Sequence, residues 1–151
     1  MIIIEQLANP PAAGQLAGLE RDRLQLSWEG RRWTRRRVRT SAGREVALAL
    51  PTGTLLEPGA ILLIEREWYL EVEALPEPLI AIHPGSRPAA IRAAFEIGNR
   101  HFPLAIDGET ILVPDDLAME QLAVRLGEPW ERRSAVFRPF ANSPAPHSHD
   151  A

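Results

Sequence analysis

Through its first half the chain alternates apolar and polar residues in short runs. Ile2 to Leu7, Arg23 to Trp28, Arg36 to Thr40, Glu45 to Leu50, Ala60 to Ile64 and Tyr69 to Ala74 are rich in branched, aromatic or alternating positions, the pattern of strands buried on one face. Turn chemistry separates them. Ser41, Ala42 and Gly43 mark one hairpin, Pro51, Thr52 and Gly53 a second, and Pro58 with Gly59 a third. No stretch before Ala74 sustains a helical period beyond one or two turns, so residues 1–75 are expected to form a small all-β domain, a sandwich or barrel.

At Leu75 to Pro78 the pattern shifts, and Pro76 and Pro78 around Glu77 make a stiff pair suited to a hinge between domains. Leu79 to His83 then reads as a strand. Pro88 to Gly98 reads as a helix with Ser86 as cap, Ile91 and Phe95 on one face, and Gly98 and Asn99 as its stop. Phe102 to Ile106 and Glu109 to Val113 suit a hairpin turning at Asp107 and Gly108. Asp116 to Leu126 forms a second helix, with Asp115 as cap, Leu122 and Leu126 one turn apart, and Gly127 as stop. Arg132 to Arg138 closes the set as a strand. The order β-α-β-β-α-β predicts a ferredoxin-like domain over 76–140, an antiparallel sheet with both helices on one face. The fold class expected is therefore α+β. Residues 141–151 hold Pro144, Pro146 and two His but almost no bulky apolar group, which predicts a flexible tail.

Composition narrows the function. A hydrophobic fraction of 45% and a charged fraction of 25% over 151 residues belong to a folded, soluble chain. The net charge of -3 and the pI near 5.8 disfavour a general nucleic-acid binder, which must neutralise many phosphates. Every basic residue is Arg, so a Schiff-base lysine and a phosphate-cradling P-loop lysine are both ruled out. Without Cys, any transition metal must be held by imidazole, carboxylate or backbone. No apolar run approaches the roughly 20 residues of a membrane span and no basic leader opens the chain, so a cytoplasmic protein is expected.

The four His are unevenly placed. His83 ends a strand before Pro84 and Gly85 and is read as an edge or loop imidazole with no assigned role. His101 follows the helix stop, and nothing in the spacing of a single chain completes a metal site around it. His147 and His149 bracket Ser148 in the tail, where closely spaced imidazoles can chelate nickel, copper or zinc. Arg35, Arg36, Arg37 and Arg39 interleave with Val38 after Trp33; on a strand they read as a solvated face, with contact to an acidic protein partner as the functional alternative. Arg100 reads either as a partner contact or as a surface charge.

The stretch Gly98 to Ile106, GNRHFPLAI, resembles the signature of the UreE family of urease accessory proteins, and Arg36 to Leu63, RRVRTSAGREVALALPTGTLLEPGAILL, resembles that family's N-terminal run. The resemblance implies a nickel metallochaperone, not an enzyme, working as a homodimer in which His101 binds nickel at the dimer interface. It also implies an N-terminal partner-binding domain over 1–75, a ferredoxin-like metal-binding domain over 76–140, and partners in the urease accessory GTPase and the urease apoprotein. A two-fold axis beside His101 would double each ligand, and His147 or His149 would complete the set. Zinc or copper could also bind such a site. Two departures stand out: many family members carry His where this chain has Asp116, and the tail is poor in His. Two rival classes fit the residues less well. An RNA- or protein-binding module with a ferredoxin-like domain is the alternative, but for RNA that half has few aromatics where a sheet would stack bases, and a metal-dependent hydrolase would need an HExxH or comparable cluster that the chain does not offer.

Overall fold

The computed structural model describes residues 1–140, an α+β chain made mostly of sheet with three helices. It divides into two compact units, one ending at Leu75 and one beginning at Pro76. Among the described residues no helix is long and apolar enough to cross a membrane.

The first unit holds β1 (Ile2–Ile4), β2 (Glu20–Leu26), α1 (Trp28–Arg31), β3 (Arg35–Arg39), β4 (Glu45–Ala49), β5 (Ile61–Ile64) and β6 (Trp68–Ala74). Two three-stranded sheets form, in the orders β1-β4-β3 and β2-β6-β5. Ile4, Val46 and Leu48 of one sheet share a single buried core with Leu24, Leu62, Leu70 and Val72 of the other. Period-two alternation gives each sheet one apolar face, and each face is buried against the other sheet.

The Ser41 to Gly43 turn does join β3 to β4, with Gly43 at φ 89° and its N–H donating to the Thr40 carbonyl at 2.9 Å. Pro51 to Gly53 and Pro58 to Gly59 are not hairpins. They lie on the passage from β4, which pairs with β1 and β3, to β5, which pairs with β6 in the other sheet. Turn residues specify a reversal, but not which strand is met after it. The hairpin joining β5 to β6 uses Glu65, Arg66 and Glu67, closed by the Glu65 N–H on the Trp68 carbonyl at 2.8 Å, and contains no Gly or Pro to announce it.

The second unit holds β7 (Pro76–Ile82), α2 (Arg87–Asn99), β8 (Ala105–Asp107), β9 (Thr110–Pro114), α3 (Leu117–Leu126) and β10 (Trp130–Val136). Its four strands run in the order β10-β7-β9-β8, every neighbouring pair antiparallel. Ile80, Ile82, Ile111 and Val113 share one core with Ala93 and Ile97 of α2 and Met119, Leu122 and Ala123 of α3, so both helices cover the same face.

Pro76 and Pro78, expected as a hinge, are instead part of β7. β9 pairs with β7 only from Leu79 onward, so both prolines lie where one side of the strand has no ladder and a missing N–H is tolerated. Ile91 and Phe95, expected on the buried face of α2, are 63% and 65% exposed. The stripe that packs is Ala93, Ala94 and Ile97, on the helix face turned to the core. Asp116, not Asp115, caps α3, its Oδ1 accepting the Ala118 N–H at 2.8 Å, while Asp115 pairs with Arg132 at 3.2 Å. Asp107 pairs with Thr110, so the tight turn is Gly108 and Glu109, with Gly108 at φ 62° in the first central position.

Asp22 ties the two sheets of the first unit together. Its carboxylate is 1% exposed and accepts from Thr40 Oγ1 at 2.5 Å, Arg44 Nη1 at 2.9 Å, and the N–H groups of Arg23 and Ala42 at 2.8 and 3.0 Å. Burial acts to raise its pKa, but the hydrogen bonds from Thr40, Arg44, Ala42 and Arg23 outweigh burial and hold it below the usual carboxylate value. A depressed folded-state pKa contributes stability above the unfolded pKa of about 3.9 and loses it as pH falls through the folded value. Asp22→Ala should therefore lower unfolding stability by about 2–4 kcal/mol near neutral pH, since it removes the buried acceptor that Thr40 and Arg44 Nη1 share. Urea titrations followed by Trp fluorescence check this, and the gap between variant and wild type should narrow below about pH 4.

Candidate metal centre

α2 begins at Ser86, whose hydroxyl accepts the Ala89 N–H at 3.2 Å, and its end fixes the position of His101. The expected stop at Gly98 and Asn99 is displaced: the helix runs through Asn99, Arg100 is its C-cap, and His101 follows at φ 61°. The His101 N–H donates to the Gly98 carbonyl at 2.9 Å and the Phe102 N–H to the Ile97 carbonyl at 3.3 Å. These two bonds are the Schellman closure, in which the residue after the cap turns left-handed. That position usually takes Gly, because a Cβ in the left-handed region is strained. Among the described residues His101 alone does so without being Gly. Phe102 completes the motif by packing on the core that contains Ile97. The His101 side chain is left exposed at the helix end.

Two neighbours define the surroundings. Arg100 Nη1 donates to the Glu96 carbonyl at 3.0 Å and to the Glu96 carboxylate at 2.7 Å. On the outer side of α2, Ile91 and Phe95 form an exposed apolar stripe that leads along the helix toward Gly98, where a Cβ would meet nothing within 4 Å. Sequence reading missed the role of Arg100, although Glu96 and Arg100 stand at the i, i+4 spacing of a helical ion pair.

His83 is engaged elsewhere. Its Nε2 lies 2.7 Å from Glu131 Oε2 and its Nδ1 3.2 Å from Thr110 Oγ1, while Arg133 reaches Asp107 at 3.4 Å on the same sheet face. The hydrogen bond from His83 leads the causes that hold the Glu131 carboxyl below its usual value. Both imidazole nitrogens thus have protein partners, the arrangement of a structural histidine. Asp116 is occupied by capping. Among the described residues no three His, Asp or Glu side chains come together as a metal site. His147 and His149 lie outside the described residues.

The Phe140 N–H donates to the Leu104 carbonyl at 3.3 Å, three residues from His101 in sequence. His101 is the fixed imidazole nearest to it along the chain.

Family models match both halves: "UreE urease accessory protein, N-terminal domain" over residues 3–75 and "UreE urease accessory protein, C-terminal domain" over residues 77–151. The Urease accessory protein UreE of Synechococcus sp. (strain JA-3-3Ab) is 39% identical over 133 residues, 87% of either chain. The protein of the same name from Ralstonia nicotianae is 36% identical over 132 residues, 85% of this chain and 63% of that one, so this chain spans a little under two thirds of its length. That of Deinococcus radiodurans is 36% identical over 115 residues, 76% of this chain and 72% of its own. With a model matching each half and relatives at this level across most of its length, the chain belongs to the UreE urease accessory protein family, and is an accessory factor rather than an enzyme.

Proposed function

We propose that this chain is a nickel-binding metallochaperone that delivers its ion for assembly of the urease metallocentre in the cytoplasm. The observation that carries the reading is His101 itself: a histidine occupying the left-handed position of a helix closure, where Gly costs less, with its imidazole free at the surface. One imidazole holds a divalent transition metal weakly, and two copies related by a two-fold axis supply a shared pair. His147 and His149 of the same chain would add further imidazole ligands. Nickel is cargo here, and a site with few fixed ligands releases it to a tighter acceptor. Zinc and copper compete by the same chemistry.

The homodimer is part of the proposal. Ile91 and Phe95 give α2 an uncovered apolar stripe ending beside His101, which suits an interface that brings two such histidines together. We read the β10-β7-β9-β8 order, with both helices on one face, as the ferredoxin-like metal-binding domain over 76–140. Residues 1–75 then serve as the partner-binding domain for the urease accessory GTPase and the urease apoprotein. Arg35, Arg36 and Arg37 are exposed on the edge strand β3, while Arg21, Arg39 and Arg44 of the same unit each hold a carboxylate, so β3 offers the positive face for an acidic partner. An RNA-binding reading gains nothing from the sheet face away from the helices, where His83 pairs with Glu131 and Arg133 with Asp107 and Glu131, a polar network that offers no base-stacking platform.

His101→Gly and His101→Ala should both abolish the tightest nickel site in calorimetric titration. Only His101→Gly should also raise apo-protein stability, by about 0.5–1 kcal/mol, because it relieves the left-handed strain beyond what the more flexible unfolded chain offsets. Tight nickel binding by either variant would remove His101 from the site. Deleting residues 141–151 should leave the melting temperature unchanged and lower nickel affinity or stoichiometry; an unaltered titration would exclude His147 and His149. Phe95→Glu should give monomer by light scattering and weaken nickel binding with it, and a variant that stays dimeric would locate the interface elsewhere.

A further inference from the structure

Arg100 links the helix to the residue that carries the ligand. Its own N–H goes to the Ile97 carbonyl, three residues back, at 3.1 Å. The Glu96 carbonyl, four residues back, instead receives the Arg100 guanidinium at 3.0 Å. The same Nη1 holds the Glu96 carboxylate at 2.7 Å, and that hydrogen bond keeps the Glu96 carboxyl below its ordinary value against the opposing effect of burial. One side chain thus closes two acceptors on the last turn of α2. A helix end without such partners frays. The backbone of Arg100, at φ -93° and ψ 5°, passes directly into the left-handed His101.

We propose that Arg100 is a positioning residue for the metal site, a latch on Glu96 that keeps the last turn of α2 closed and so fixes the direction in which the His101 imidazole leaves the helix. The left-handed conformation of a non-glycine residue persists only where its surroundings over-determine it. Two bonds of the Schellman closure do part of this, and the guanidinium secures the turn from which they start. With the latch removed, His101 relaxes out of the left-handed region for part of the time. Nickel must then order the turn as it binds. Two protomers contribute to one ion, so loosened geometry enters twice. This rests on the reading of His101 as a nickel ligand.

The test uses the full-length protein and nickel alone. Arg100→Ala should weaken nickel binding by about tenfold or more, the usual effect of removing a group that orients a metal ligand. Amide hydrogen exchange at His101 and Phe102 should accelerate in the same variant, while the apo melting temperature and dimer state stay close to wild type. Arg100→Lys, which keeps a donor for the Glu96 carbonyl, should recover most of the affinity. Glu96→Gln, which keeps a hydrogen-bond acceptor but not the ion pair, should fall between. A general loss of structure would instead shift the melt and leave the affinity of the folded fraction unchanged, and that result overturns the proposal. Wild-type affinity in Arg100→Ala, with nickel lost in His101→Ala, overturns the latch and leaves the ligand in place. Wild-type affinity in His101→Ala overturns both. Should Arg100→Ala fail to fold, Glu96→Gln decides, and wild-type affinity there sinks the latch.

Discussion

Leu79, Ile80, Ala81 and Ile82 of β7 are no more than 1% exposed, so this strand is covered on both faces as well as paired on both edges. Much of the C-terminal unit follows from that. A doubly buried strand cannot leave one face to water, and α2 and α3 must lie over the face carrying Ile80 and Ile82. The alanines of α2 allow a close approach, which fixes the rotation of the helix about its axis. Ile91 and Phe95 are thereby turned outward, and the axis runs out at Arg100. His101 stands where it does because the helix had to be seated on the core it shares with the sheet and α3.

The N-terminal unit depends on a polar counterpart. Three-stranded sheets are small, and each has an edge on both sides, so apolar burial alone sets their mutual orientation loosely. Asp22 removes that looseness by gathering Thr40, Ala42 and Arg44 of the β3 to β4 turn onto β2 of the opposite sheet. Arg44 in turn lies 4.1 Å over the Trp68 ring, so the guanidinium is held between a buried carboxylate and an aromatic face. The arrangement leaves β3 at an edge, with Arg35, Arg36 and Arg37 exposed along it.

The metal-site reading and the stability of the fold pull in opposite directions at one residue. Helix closure asks for Gly after Arg100, and the chain places an imidazole there at an energetic cost of about 1–2 kcal/mol. Strain of this kind persists when neighbouring bonds over-determine the conformation. The Gly98 carbonyl, the Ile97 carbonyl and the burial of Phe102 all act on the same turn. A local departure from propensity thus coincides with the motif singled out by sequence.

Strands were legible in the chain because period-two alternation is a local property: β4, β6 and β9 fall within a residue or so of where Glu45, Tyr69 and Glu109 suggested. The order of elements was legible for the same reason, as were the cap at Ser86 and the stop at Gly127. What lay beyond local pattern is of two kinds. Partnership is nonlocal, so Pro51 to Gly59 looked like hairpin turns while serving a crossing between sheets, and Pro76 and Pro78 looked like a hinge while lying in the first residues of β7, which pair with β10 but not with β9. Helix rotation is also nonlocal: two apolar stripes of α2 satisfy the same period, and only packing into the core shared with the sheet and α3 selects Ala93 and Ile97 over Ile91 and Phe95. The sequence named His101 through its motif, but the left-handed turn that presents it was decided by where the helix could end, and by the Glu96 and Arg100 side chains that close that end in three dimensions.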